Sequence, residues 1–185
     1  MISKSMRISL PRTGLATLLR LMILAPALVR ADSAASIQGQ DVDGRPVAVN
    51  GKGHITVVMY TNPDLEDESR QITLALDPYR GRSDFSFVRV VDLRGDVPPS
   101  MRSMVRGQIR KELAKEDIRL KKAGVTPSNG APIIPDFSGS TLDALGWSDT
   151  YDQVHLVVYD THGHEIKRLA SVDPKEATKV VDSIL

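Results

Sequence analysis

The stretch His54-Ile55-Thr56-Val57-Val58-Met59-Tyr60-Thr61-Asn62-Pro63-Asp64-Leu65-Glu66-Asp67-Glu68 decides the fold. Ile55 to Tyr60 is a continuous, largely β-branched apolar run of strand length, the pattern of a strand covered on both faces. The acids that follow belong at a helix N-terminus. Asp64 is expected as the N-cap, and Glu66, Asp67 and Glu68 put negative charge where the helix dipole favours it. Leu65, Ile72 and Leu76 give that helix its apolar face, and Pro78 ends it. A buried strand running straight into a helix opens a βαβ unit.

Working outward, Gln40 to Val49 reads as a hairpin about Asp43-Gly44, and Phe85 to Leu93 as the next strand. Met101 to Lys122 is expected as a long helix. Met101, Met104, Val105, Ile109 and Leu113 would form its buried face, with its charges on the solvated side. Thr126 to Gly146 is loop, with a short strand at Ile133-Ile134 and a helical turn at Leu142 to Leu145. Val154 to Tyr159 is a strand, Asp160 to His164 its turn, and Glu165 to Leu169 the returning strand. Asp173-Pro174 opens a last helix, with Asp as cap and Pro in the first turn.

The first 31 residues carry Lys4, Arg7, Arg12, Arg20 and Arg30 and no acid, around a short apolar core from Leu21 to Val29. That is the pattern of a secretory leader, and the apolar core is far shorter than the roughly 20 residues of a membrane span. The expected organisation is a leader over 1–31, a flexible start over 32–36 and one domain over 37–185. Losing five basic residues and no acid would turn the formal charge from +1 to −4. The electrostatic case for a nucleic-acid partner goes with them. The expected location is periplasmic or secreted. The chain has no cysteine, so no disulfide can staple it.

The order hairpin, strand, helix, strand, long helix, then strand, turn, strand, helix resembles the thioredoxin-like fold. This is an α/β class with a central mixed sheet flanked by helices, here with an N-terminal hairpin and a long inserted helix. The run Val154-His155-Leu156-Val157-Val158-Tyr159-Asp160-Thr161-His162-Gly163-His164-Glu165-Ile166 resembles the penultimate hairpin of redoxins. The resemblance implies a Cys-x-x-Cys pair at the first strand-to-helix corner, where this chain has Asp64, Leu65, Glu66 and Asp67. It also implies a cis-proline at the position of Val154. Both are replaced, so thiol exchange and thiol peroxidase chemistry are excluded for this chain. More narrowly, Ile134 to Gly146 and the leader are similar to cysteine-poor periplasmic proteins of the YtfJ type.

Other constellations are weaker. Asp64, Glu66, Asp67 and Glu68 could hold a hard cation, but capping accounts for all four. His162 and His164 supply only two ligands. No nucleophile elbow, P-loop or dinucleotide fingerprint occurs. No metal and no cofactor is therefore expected. Arg102, Arg106 and Arg110 repeat every fourth residue and form a basic stripe that could meet an acidic partner. Trp147, with Tyr151, would border the family's substrate groove. The expected function is a redox-inactive module binding a protein or peptide in the cell envelope through Asn62, Pro63, Trp147 and the arginine stripe. A non-thiol, metal-assisted enzyme and a binder of anionic surfaces are the alternatives.

Overall fold

In a computed structural model, residues 36–147 and 152–185 are described, and the leader, Asp149 and Tyr151 lie outside them. The hairpin is β1 (Gln38–Gln40) and β2 (Pro46–Ala48), paired antiparallel with Gly39 opposite Val47. Asp41 builds its turn, since its carboxylate accepts the backbone N–H groups of Asp43 and Arg45 at 2.8 and 2.9 Å.

Five further strands form one mixed sheet. They are β3 (Ile55–Thr61), β4 (Phe85–Asp92), β5 (Ile133–Asp136), β6 (His155–Tyr159) and β7 (Glu165–Ala170). The spatial order is β5-β4-β3-β6-β7. β3, β4 and β5 run parallel, and β6 and β7 antiparallel to their neighbours. Every residue of the central β3 is buried, as its unbroken apolar run requires. β7 is an edge strand with exposed Glu165, Lys167 and Arg168, and charge of this kind discourages pairing with another chain.

The helices are α1 (Glu66–Leu76), α2 (Arg102–Lys122), α3 (Ser140–Leu145) and α4 (Pro174–Asp182). α1 buries Ile72 and Leu76 as expected, and α4 buries Ala177 and Val181. Asp173 caps α4, accepting the N–H groups of Lys175 and Glu176 at 2.8 Å. In the turn between β6 and β7, Gly163 has φ +84°, and a Cβ there would fall 2.7 Å from the Asn50 carbonyl oxygen. Only glycine fits.

α2 departs from expectation. Met101 and Met104, assigned to its buried face, are 45% and 68% exposed, and Leu120 is the one fully buried residue of the helix. Val105, Ile109 and Leu113, the rest of that stripe, are half-buried, and the helix is fastened mainly by charge. In β4 the two-residue alternation puts Arg89 on the same face as the buried Phe85 and Phe87. Glu116 of α2 accepts from Arg89 at 2.8 Å and also from Arg80, whose side chain is 1% exposed. Arg80 in turn meets Asp77 at 3.3 Å, and Arg119 of α2 clasps that same carboxylate. Burial pushes the Glu116 carboxyl up, but Arg89 and Arg80 outweigh it and hold it below the usual glutamate range. Glu116 follows Leu113 on the inward side of the helix because Arg89, once placed in the sheet, demands a carboxylate.

Candidate functional site

The parallel strands end together at Thr61, Asp92 and Asp136, and β6 begins beside them at His155. In open α/β sheets, ligands gather at this end. The segments leaving it carry Asn62 to Asp67 and Val154.

At the corner after β3, Asn62 is extended, with φ −137° and ψ 176°, and its side chain accepts the Leu65 N–H at 3.1 Å. Pro63 starts a single 3-10 turn, Pro63–Leu65, and α1 follows at Glu66. The cap is therefore Asn62, not Asp64. Proline tolerates a first helical position, where its missing N–H costs nothing, so the turn begins two residues early. Leu65 plugs the core at 8% exposure, while Asp64, Glu66, Asp67 and Glu68 face solvent. Val154 is buried and, as no described peptide bond is cis, Gln153–Val154 is trans.

Beneath the corner sits a buried aromatic cluster. Tyr60 and His155 are register partners and so share a face of the sheet. Their ring centroids are 5.8 Å apart, and Trp147 packs on both, at 6.0 and 5.9 Å. The Arg168 guanidinium covers Trp147 at 5.3 Å and donates to the Leu145 carbonyl at 2.8 Å. Trp147 is 2% exposed, so it supports this surface from below and does not present its ring to a groove.

His155 is 5% exposed, and its Nε2 has no hydrogen-bond partner among the described residues. Burial pushes its imidazole below the ordinary value of 6.5; Asp152 opposes this and Arg168 adds to it. The unfolded histidine takes up its proton at a higher pH than the buried one, so protons favour unfolding. We expect stability to fall as pH drops through about 6.5, and His155→Gln to flatten that slope. Urea unfolding of both proteins between about pH 7.5 and 5 checks this, and equal slopes would refute it.

The arginine stripe is divided. Arg110 donates to Asp43 at 2.6 Å and to the Val42 carbonyl at 2.8 Å, and Arg106 donates to the Asp41 carbonyl at 2.8 Å. Both fasten the hairpin to α2, which the repeat of four could not reveal. Arg102 instead lies over the ring of Phe137 at 5.1 Å, as does Arg106 at 5.3 Å. Beside them a cleft of about 530 Å3 opens at the end of β5, between the hairpin and the start of α2. Its wall includes Asp136, whose Oδ1 accepts the Gly139 N–H and whose Oδ2 accepts the Thr141 N–H, each at 2.8 Å, which fixes the start of α3. Sequence reading missed this cleft; the clue was Asp136 three residues ahead of Gly139, an Asx-type cap before a short helix.

The remaining histidines lie elsewhere. His162 and His164 stack at 6.1 Å in the β6–β7 turn, at the opposite end of the sheet, where Asp160 accepts both their backbone N–H groups. Among the described residues, no three His, Asp or Glu side chains converge as metal ligands. No helix among them is long and apolar enough to cross a membrane.

No family model and no curated protein matches the chain. Solved structures do. The chain is similar to the pneumococcal exposed lipoprotein thioredoxin Etrx1 of Streptococcus pneumoniae, with 15% identity over 82% of this chain and 100% of that one, at a TM-score of 0.55. It is similar to a DsbF homologue of Corynebacterium diphtheriae, with 18% identity over 80% and 83% and a TM-score of 0.53. A secreted Mycobacterium tuberculosis disulfide oxidoreductase homologous to E. coli DsbE gives 14%, 83%, 99% and 0.52. The chain thus has the thioredoxin-like fold. The likeness carries the fold alone and does not reach the narrower cysteine-poor branch.

Proposed function

We propose that this chain is an exported thioredoxin-like domain that performs no thiol chemistry and serves as a protein- or peptide-binding module in the cell envelope. One observation carries the reading. At the corner where the fold's redox members hold their reactive pair, this chain has a buried leucine, Leu65, among solvated carboxylates, and it has no cysteine anywhere. The end of the sheet that gathers ligands is kept, and the electron-transfer groups are gone. The basic leader over 1–31 supports export, as do fold neighbours described as an exposed lipoprotein and a secreted protein. The contact surface runs from Asn62, Pro63 and Asp64, above Trp147, towards Arg102. Arg110 serves it by holding the hairpin in place, and one nitrogen of Arg106 adds to that hold.

A photo-crosslinker placed at Asp64, and separately at His162 on the opposite end of the sheet, tests this in the native envelope. A discrete adduct from position 64, competed away by excess unlabelled protein and missing from position 162, is the expected result. The binding reading fails if neither position gives an adduct or both give the same one. Turnover of insulin disulfides by the purified protein would overturn the redox-inactive half.

A further inference from the structure

We infer that the cleft at the end of β5 binds the carboxyl-terminal segment of an extended peptide, with the terminal carboxylate held by Arg102 and Arg106. This rests on the binding-module reading and gives its partner a chemistry.

The charge pattern comes first. Eight other described arginines stand beside a carboxylate. Arg102 and Arg106 have none among the described residues, and of the rest only the exposed Arg70 shares that condition. The Arg102 Nε is buried without a hydrogen-bond partner among the described residues. Two guanidinium groups against one phenyl ring, partly withdrawn from water, repel each other and lack an anion. Cation–π attraction to Phe137 offsets part of that cost and holds both side chains at the cleft.

The charge balance selects the anion. Arg102, Arg106 and Asp136 are the charged groups of the wall, leaving one net positive charge. That suits a monoanionic carboxylate, whose two oxygens match the planar guanidinium fork, better than a phosphate dianion.

The backbone selects the peptide. In the hairpin, Asp41 N–H donates to the Arg45 carbonyl and Val49 N–H to the Ile37 carbonyl. These pairs, with Gly39 opposite Val47, are the hydrogen-bonded positions of the ladder. The peptide groups of Gln38 and Gln40 therefore point away from β2, at a strand edge lining the same cleft. An extended segment can add along such an edge. Gly39 fixes the edge close to the sheet, since a Cβ there would meet Ile134 Cδ1 at 2.6 Å.

The probes are N-acetyl-trialanine with a free carboxylate, its C-terminal amide, and acetate, titrated into isotope-labelled protein and followed by NMR. The free acid is expected to shift the Arg102 Nε–H signal and the Gln38 and Gln40 amide signals together, and to bind more tightly than acetate. Arg102→Gln, which breaks no ion pair of the fold, should weaken it by about tenfold or more. The inference is overturned if the amide binds as well as the acid, if acetate binds as tightly as the tripeptide, or if no signal moves. The adduct from position 64 separates the two readings. If Arg102→Gln leaves its yield unchanged, the carboxylate site is wrong while the binding module stands; a lowered yield supports both.

Discussion

Glu116→Ala is expected to destabilise the domain by about 3–5 kcal/mol, because it leaves a buried charge without its counter-ion. Arg80 would keep Asp77, but the Arg89 side chain, 11% exposed, would lose its only carboxylate among the described residues. Glu112→Ala is the control. It breaks the Lys115–Glu112 pair on the same helix, where the side chains are 71% and 52% exposed, and should change stability by less than about 1 kcal/mol. Urea unfolding of the two variants settles the matter, and equal midpoints would mean the network contributes nothing special. The pH dependence has a definite sign. Because the folded Glu116 carboxyl lies below its usual range, its contribution is full above the unfolded value. It drains away as pH falls through the folded one.

Trp147→Ala should cost about 3–5 kcal/mol as well, for a different reason. The indole fills the space between Tyr60 and His155 and carries Arg168 on its face. Removing it opens a cavity under the corner that the sheet cannot collapse to fill. Trp147→Phe keeps an aromatic plug and should lose markedly less. Circular dichroism during urea unfolding reads both variants, since Trp147 is the sole tryptophan and its fluorescence goes with it. Equal losses would show that volume is not what the site needs.

The sheet was legible in the sequence because its signals are local. An unbroken run from Ile55 to Tyr60, a Gly-containing turn at Gly163 and an Asp-Pro cap at Asp173 each state their own structure. The attachment of α2 was not legible in this way. Met101 and Met104 sit at helical spacing and imitate a buried face, while the residue that fixes the docking, Arg89, lies in another element 27 positions from Glu116. A charged residue at the inward position of a strand was the available clue. The corner was half legible. The passage from buried strand to acidic helix start could be read directly, but the shift of the cap from Asp64 to Asn62 turned on the missing N–H of Pro63. The cleft needed three segments far apart in the chain, the hairpin at Gln38 to Gln40, Arg102 and Arg106 of α2, and Ile134 to Thr141, and no periodicity links them.

The way α2 is fastened has a thermodynamic consequence. The helix has 21 residues, yet it meets the rest of the domain largely through carboxylates, guanidinium groups and backbone carbonyls. Its apolar contact is confined to the buried Leu120 and the half-buried Val105, Ile109 and Leu113, so detaching it carries a smaller heat-capacity change and a shallower response to urea than opening the sheet. Its resistance is dielectric in origin. Ionic strength weakens the exposed Arg110–Asp43 clasp at one end sooner than the buried Glu116 clasp at the other. The amino-terminal half of α2, which borders the cleft, is therefore the part of the domain whose hold is set by the salt around it.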